Sequence, residues 1–463
     1  MIPLGCPPRS SHRLTAAVSL SSDYPSLLPL GLGSPFYLSS MSDQPLFLFN
    51  PIGTSGDVHP HLAVAKELQR RGVEVHLLIN PTYQALANQL DLPASPLGQG
   101  WNGQELAENP RIRRPRSAWK EAMAWGAIGT MRETFALIKS RMRPGKTLVM
   151  SPAWSLGARL ARETLPIRQV TALMNPVLLR SCSDPPLIPG LLNHSWVPKP
   201  LLRWQYRMLD RFFLDPILLP ELHRFRRELG LPRLQRVMEK WWFSPDLVLG
   251  VFPKKLVPRA TDWPIDIDIV GHTLWDPPAP TAQVDTFQAF VARYPKPVAI
   301  VPGSVGPGSS VYFQQVIAAI QRLGRNAVIF YKLDSGLPPD LPANILHCRY
   351  LPLAEALPAC SAILHAGCMG TLSQALQAGI PQLVIPRVND QPDNARRLAR
   401  LGVAKVLTPK SVSLERLVKA LQTLLADAEI QKACTLSRSP SPISSVKIIA
   451  DRLEQQIQPS MKR

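Results

Sequence analysis

Leu46-Phe47-Leu48-Phe49 is followed by Pro51-Ile52-Gly53-Thr54-Ser55-Gly56-Asp57, and then by Leu62, Ala65 and Leu68 at helical spacing up to Gly72. Val73, Val75, Leu77 and Ile79 alternate after it. A short apolar strand, a glycine loop, a helix and a second strand form the unit of a parallel sheet covered on both faces. Further strands are expected at Thr147–Met150, Gln169–Ala172 and Leu247–Val251. A proline-rich linker, Trp275-Asp276-Pro277-Pro278-Ala279-Pro280-Thr281, interrupts the pattern. Beyond it the alternation restarts, with strands at Val298–Val301, Ala327–Tyr331, Ala362–Leu364, Gln382–Ile385 and Val403–Leu407. Helices are expected there at Ser310–Leu323, Thr371–Ala378, Pro392–Leu401 and Leu414–Leu425. The fold class is therefore α/β, with two doubly wound, Rossmann-like parallel-sheet domains facing across a cleft.

The composition agrees. The chain has 463 residues, 45% apolar and 18% charged, which excludes disorder throughout. No run approaches the ~18 apolar residues of a membrane-spanning helix, so a soluble, cytoplasmic protein is expected. Six scattered cysteines without a C-x-x-C pair argue against a disulfide framework or structural zinc. A net charge of +19 favours anionic partners. Nucleic acid is not among those expected, because no basic platform for base stacking is apparent. The expected domains are 41–275, a linker at 276–285, 286–438, and a C-terminal helix and tail at 439–463. Residues 1–40, rich in Ser, Pro and Leu, read either as a targeting peptide or as an extension upstream of a start at Met41; the second is preferred, because the first strand pattern begins at Leu46.

The strongest local signal is Ile363-Leu364-His365-Ala366-Gly367-Cys368-Met369-Gly370-Thr371. A strand entering a glycine turn at a helix N-terminus offers unpaired backbone N–H groups and the positive end of the helix dipole to a phosphate. His365 at the strand end reads either as a further donor to that anion or as the satisfied histidine of a plain strand-to-helix turn, and Thr371 offers a hydroxyl. Next come Gly379-Ile380-Pro381-Gln382 and Asn389-Asp390-Gln391-Pro392-Asp393-Asn394. They place a carboxylate and an amide, Asp390 and Gln391, beside the same turn, where they can bond sugar hydroxyls. Asp390 also reads as an ordinary helix N-cap.

Tyr350 to Gly402 resembles the donor-domain signature of GT-B glycosyltransferases, the group of sterol glucosyltransferases, antibiotic glycosyltransferases and the rhamnosyltransferase of rhamnolipid synthesis. Gly53-Thr54-Ser55-Gly56-Asp57-Val58-His59-Pro60 is similar to the opening motif of that group, and Ser151–Gly157 and Trp241–Pro253 most resemble its rhamnosyltransferase branch. Ala366 stands where the signature has a second histidine, and Cys368 where it has a second glycine. The resemblance implies that the donor pyrophosphate sits on His365, Gly367, Cys368, Met369, Gly370 and Thr371, approached by a Gly303-Ser304 turn. It also implies a nucleobase against Tyr350-Leu351-Pro352, a donor sugar held by Asp390 and Gln391, and a C-terminal helix that crosses back to the first domain. The implied chemistry is inverting transfer of a hexose, glucose or rhamnose, from a nucleoside-diphosphate sugar, with no metal and no cofactor beyond that co-substrate.

The base that takes the acceptor's proton is expected at Asp57, beyond the cleft loop of Gly53 and Gly56, with His59 and then His61 as alternatives. Asp57 also reads as a plain helix cap. Asp266-Ile267-Asp268 mimics a metal-binding Asp-x-Asp, but its period of two reads as a solvated strand face. All ten tryptophans, Trp101 to Trp275, precede the linker, which suggests an aromatic pocket for an apolar hydroxylated acceptor such as a lipid or sterol. Arg203, Arg207 and Arg211 recur every four residues on an amphipathic segment. That pattern fits either a helix covering the core or peripheral contact with an anionic membrane's inner face. The competing functions are a nucleotide-sugar epimerase of the same architecture and a non-catalytic nucleotide-sugar-binding protein.

Overall fold

The computed structural model describes residues 44–100, 111, 115–194, 196–303, 310–334, 336–438 and 442–457. Residues 1–40 and Ser304 lie outside the described residues. The first sheet contains β1 (Leu46–Phe49), β2 (Glu74–Ile79), β3 (Ala94–Pro96), β4 (Thr147–Ser151), β5 (Arg168–Leu173), β6 (Leu247–Gly250) and β7 (Asp268–Ile269). The second contains β8 (Val298–Val301), β9 (Ala327–Phe330), β10 (Ile345–Cys348), β11 (Ala362–His365), β12 (Gln382–Val384) and β13 (Ala404–Val406).

Every strand pair is parallel. The spatial orders are β3-β2-β1-β4-β5-β6-β7 and β10-β9-β8-β11-β12-β13. Each sheet grows one way from its first strand and then reverses, so each has a switch point, at β1/β4 and at β8/β11. Loops leaving the carboxyl ends of adjacent strands diverge there and open a crevice for ligand. The strands are buried on both faces and so read as continuous apolar runs; all four residues of β1 and of β11 are buried.

Three boundaries differ from the sequence reading. The helix Ser55–Arg70 starts inside the anticipated glycine loop, so Gly56 and Asp57 belong to its first turn. The Thr54 amide donates to Asp57 Oδ2 at 3.1 Å, which satisfies one of the amides a helix start leaves unpaired. The linker ends at Pro280 and not at 285, because Pro280, with φ −58°, is the N-cap of a helix Thr281–Arg293. Its inward residue Phe287 packs with Phe330, Leu351 and Ile363. Strands β3 and β10 were not anticipated.

The helix Pro442–Ile457 returns to the first domain. Ile449, Ala450 and Leu453 complete the core formed by Phe47, Val58, Leu62 and Leu77. Arg71 fixes its outer side by bonds of 2.6 Å to Asp451 and to Glu454. Leu453 is fully buried. Leu453→Ala should therefore destabilise the protein by about 2–5 kcal/mol in urea unfolding. A loss within error would mean that the crossing helix is not part of the first domain's folding unit.

Candidate active site

Asn50 follows β1, and its buried amide ties that strand's exit to Leu78 O at 3.3 Å and to Ser155 Oγ at 2.5 Å. The chain then turns at Gly53, whose φ of +133° suits glycine. A β-carbon there would lie 2.2 Å from Asp57 Oδ2, so the glycine also makes room for the carboxylate. Trp154 braces the turn by donating from Nε1 to Ile52 O at 3.1 Å.

In the second domain, β11 ends at His365 and the backbone turns at Gly367, φ +93°. A side chain at Gly367 would press on Val384 and on the Gln391 backbone at 3.1–3.2 Å. Gly303, φ +92°, approaches from the end of β8; a β-carbon there would lie 3.5 Å from Ala366 and 3.8 Å from Cys368 Sγ. Cys368 is the N-cap of the helix Met369–Ala378, and no side chain caps it. The first amides of that helix are therefore left for an external anion. Met369 is buried, so only its backbone faces this site, whereas Thr371 is partly exposed.

His365 does not face the anion. Its ring is buried, Nδ1 accepts from the Gly367 amide at 3.0 Å, and Nε2 therefore carries the hydrogen and donates to Gln382 Oε1 at 3.0 Å. Burial holds its pKa down to about 4, so the ring is neutral. Both nitrogens are used in fixing the turn to the neighbouring strand. His365 thus shapes the phosphate loop from behind.

Asp390 and Gln391 stand where the sequence reading put them, beyond β12. Asn394 Nδ2 links Asp390 Oδ2 at 2.7 Å to Gly367 O at 2.9 Å, which welds this loop to the phosphate turn. Gln391 uses Oε1 to accept from the amides of Arg387 at 2.9 Å and Val388 at 3.2 Å, and turns Nε2 towards Cys368 Sγ at 3.5 Å. In the nucleobase segment, Leu351 and Pro352 are buried. Tyr350 is half-buried, and its hydroxyl donates to Pro277 O at 2.5 Å.

Asp57 of the first domain and Asp390 of the second are close enough for the charge of Asp390 to act on Asp57. Burial, opposed by the Thr54 amide and reinforced by the charge of Asp390, raises Asp57 to about 7. Burial raises Asp390 to about 6. Cys368, between them, feels both charges, and its thiol is pushed up to about 12, chiefly by burial. Asp57 therefore changes charge near neutrality, where a general base works best.

The other candidates are placed elsewhere. His59 Nδ1 meets Asp276 Oδ1 at 3.4 Å, and its ring packs edge-on to Trp275. Asp276 in turn accepts from Gln374 Nε2 at 2.7 Å, so this pair ties the first domain to the donor-loop helix. His61 is buried, held at 2.7 Å from Asp57 O, and its pKa is lowered to about 4 by burial. Asp266 pairs with Arg259, and Asp268 with Arg452 at 2.6 Å. Trp241 and Trp242 are core residues and do not line a pocket; Trp154 is the tryptophan beside the Asp57 loop.

Sequence reading missed His272, which no motif announces. It is 7% exposed and lies within van der Waals range of Gly370; a β-carbon on Gly370 would sit 3.9 Å from its Cε1. Nδ1 accepts from the Leu274 amide at 3.2 Å, leaving a buried Nε2 without a hydrogen-bond partner. The neighbouring Thr273 Oγ1 is also buried and unpartnered.

Comparison with known proteins agrees with this architecture. Residues 47–168 match the glycosyltransferase family 28 N-terminal domain, and residues 314–444 match the erythromycin biosynthesis protein CIII-like C-terminal domain. Glycosyltransferase GtfC of Amycolatopsis orientalis is 27% identical over 82% of this chain and 90% of its own. A dTDP-epi-vancosaminyltransferase of the same organism is 24% identical over 84% and 92%. Among solved structures, the glycotransferase of kitacinnamycin superposes with a TM-score of 0.67 at 19% identity, covering 89% of this chain and 99% of its own. The spinosyn rhamnosyltransferase SpnG complexed with thymidine diphosphate gives 0.60 at 22%, covering 88% and 100%. The chain is a GT-B glycosyltransferase of the UDP-glycosyltransferase superfamily, in its antibiotic-type group.

Burial of Asp57 carries a stability consequence with a definite sign. Its pKa is about 7 folded against 3.8 in its absence. The folded state therefore holds a proton that the unfolded chain has lost, and stability falls as pH rises from about 4 to 7. Asn at this position can still accept from the Thr54 amide but carries no charge. Asp57→Asn should melt higher than wild type at pH 8, with the difference shrinking towards pH 4. Equal melting temperatures at both pH values would show that the carboxylate is not desolvated.

Proposed function

We propose that the protein transfers a hexose, with inversion and without a metal, from a nucleoside-diphosphate sugar to a hydroxyl of an apolar acceptor. The observation that carries this reading is that Asp57, beyond β1, and the Cys368 turn, beyond β11, stand at the switch points of the two sheets, with the charge of Asp390 acting on Asp57. Asp57 belongs to one domain and the phosphate turn to the other. An acceptor oxygen beside Asp57 and a diphosphate on the turn would thus flank the anomeric carbon from opposite sides. That is the geometry of a single in-line displacement, which inverts the centre.

In that step the acceptor oxygen bonds to the anomeric carbon as its proton passes to the Asp57 carboxylate. The bond from that carbon to the diphosphate oxygen breaks, and the leaving group keeps the electron pair. The amides at the start of helix 369–378 and its dipole stabilise the growing negative charge. Asp390, held by Asn394, accepts from sugar hydroxyls. His272 Nε2–H is placed to give the diphosphate a further, neutral donor from the first domain. Thymidine diphosphate in the SpnG complex, and the dTDP in the name of the vancosaminyltransferase, support a dTDP- or UDP-sugar. Trp154 at the Asp57 turn supports an apolar acceptor, a secondary metabolite or lipid.

Transfer assayed over dTDP- and UDP-sugars and a panel of apolar alcohols should persist in EDTA; activity lost to the chelator and restored by a divalent ion would overturn the metal-free mechanism. The rate should fall about tenfold per pH unit below the Asp57 pKa, which lies near 7. Asp57→Asn should lower turnover by roughly 10²–10⁴-fold while donor affinity stays unchanged. Near-normal turnover in that variant would remove Asp57 from the chemistry. His272→Ala should raise the donor Kd about tenfold, the worth of one hydrogen bond to a charged group; an unaltered Kd would confine His272 to packing.

A further inference from the structure

The helix Lys199–Leu209 and the π-helical turn Asp210–Leu214 that continues it have two unlike faces. Leu202, Gln205 and Tyr206 face inward and are buried. Gln205 clasps the preceding loop through Leu192 N at 2.9 Å and Leu192 O at 2.6 Å. The outer face is apolar as well. Leu201 is 40% exposed, Trp204 57% and Phe212 71%, and just upstream Leu192 is 45% and Trp196 76% exposed. Among the described residues, the other exposed large apolar side chains are scattered singly at Trp125, Val311, Val406 and Leu436. Five in one short stretch make a patch of the kind that marks an interaction site.

Basic residues border it. Lys199, Arg203, Arg207 and Arg211 are all exposed. The single acid between 199 and 214, Asp210, is turned inward and paired with Arg180 at 2.6 Å. Glu239 is the acid that reaches this face, 3.9 Å from Arg207 and itself partly exposed. Exposed aromatic rings set beside arginines that outnumber the acids facing them match an interfacial helix, whose rings enter the acyl boundary while its cations meet lipid phosphates.

We propose that this face docks the enzyme on an anionic membrane surface. The patch adjoins the cleft. Its upstream loop holds the helix Gln391–Arg400, which follows Asp390, through Leu187 N to Asp393 Oδ1 at 2.8 Å, and Arg396 to Pro185 O at 2.7 Å and to Asn193 O at 3.3 Å. A docked lipid surface would therefore lie beside the segment that joins the acceptor domain to the donor-sugar loop, where apolar acceptors dissolved in a bilayer are concentrated. The docking itself does not rest on the proposed reaction, since vesicle binding is read without turnover.

The experiment is sedimentation with vesicles of phosphatidylcholine alone or mixed with phosphatidylglycerol, with tryptophan emission followed in parallel. The full-length protein should bind the anionic vesicles, with blue-shifted emission, and release them in high salt. A Trp196→Ser, Trp204→Ser, Phe212→Ser variant should bind at least about tenfold more weakly. An Arg203→Gln, Arg207→Gln, Arg211→Gln variant should lose roughly 100-fold in affinity for the anionic vesicles. These side chains are exposed, so both variants should keep the wild-type circular dichroism and transfer to a water-soluble acceptor. Failure of the wild type to bind, or equal binding by the aromatic variant, would overturn the proposal. So would a concentration-dependent dimer in light scattering that the aromatic variant abolishes, because the face would then be a contact between copies.

Discussion

Three helix starts supply the groups of the candidate site, and much of the site follows from them. Helix 55–70 brings Asp57 in its first turn, helix 369–378 brings the uncapped turn at Cys368, and helix 391–400 begins at Asp390. Each start carries a partial positive charge, and the one at Cys368 has no side-chain cap. Burial acts against ionisation of Asp57 and of Asp390, and the charge of Asp393 in the first turn of helix 391–400 adds to the effect on Asp390. The site therefore offers positive backbone to an anion while holding a poorly solvated carboxylate opposite. A diphosphate on one side and a proton acceptor on the other is the combination that displacement at a sugar carbon requires.

That arrangement needs the two sheets to keep a fixed relation, and charged groups hold it. Asp393 and Arg397 are both buried and paired at 2.7 Å. Arg397 also reaches Asp184 of the first domain at 2.7 Å, and Arg400 joins the same carboxylate at 2.7 Å. On the other side of the donor loop, Asp276 gathers His59, Gln374 and the Leu353 amide. Buried pairs of this kind add little net stability compared with apolar packing, but removing one partner leaves a charge stranded. Their effect is to fix geometry. Both networks end on helices that begin at the donor site, so a shift between domains would move the phosphate turn and Asp390 together.

The parts legible in the sequence were those set by local backbone rules. Gly53, Gly303 and Gly367 all adopt positive φ, and the switch-point turns are where they were expected. Alternating strands and helices gave the sheets because doubly buried strands read as continuous apolar runs. What stayed hidden depended on direction. A histidine ending a strand beside a phosphate turn can face the anion or the next strand, and only Gln382 and the Gly367 amide, once placed, turn His365 inward. His272 reaches the site from a segment with no signature of its own. The tryptophans, read as a pocket, divide among core, cleft and surface according to contacts that no spacing encodes. The helix Thr281–Arg293 went unseen because its start carries proline where a capping side chain is usually the cue.

Cys368 shows how far a departure from a motif can be judged by backbone geometry. A glycine is indispensable where φ is positive or another atom crowds the β-carbon. Gly367 meets both conditions. Cys368 meets neither, since its φ of −66° and ψ of 140° lie in the extended region open to any residue. Its Sγ accepts from Gln391, so the side chain adds a tie between the phosphate turn and the sugar loop. Burial, with the charges of Asp390 and Asp57, pushes the thiol up to about 12, so it stays neutral and adds no negative charge to the turn. The companion change at Ala366 places a small buried side chain 3.5 Å from where a β-carbon on Gly303 would be, which lets the two phosphate-side turns pack closely. The anion site survives both replacements because it is built from backbone amides and a helix end, and neither replacement alters those.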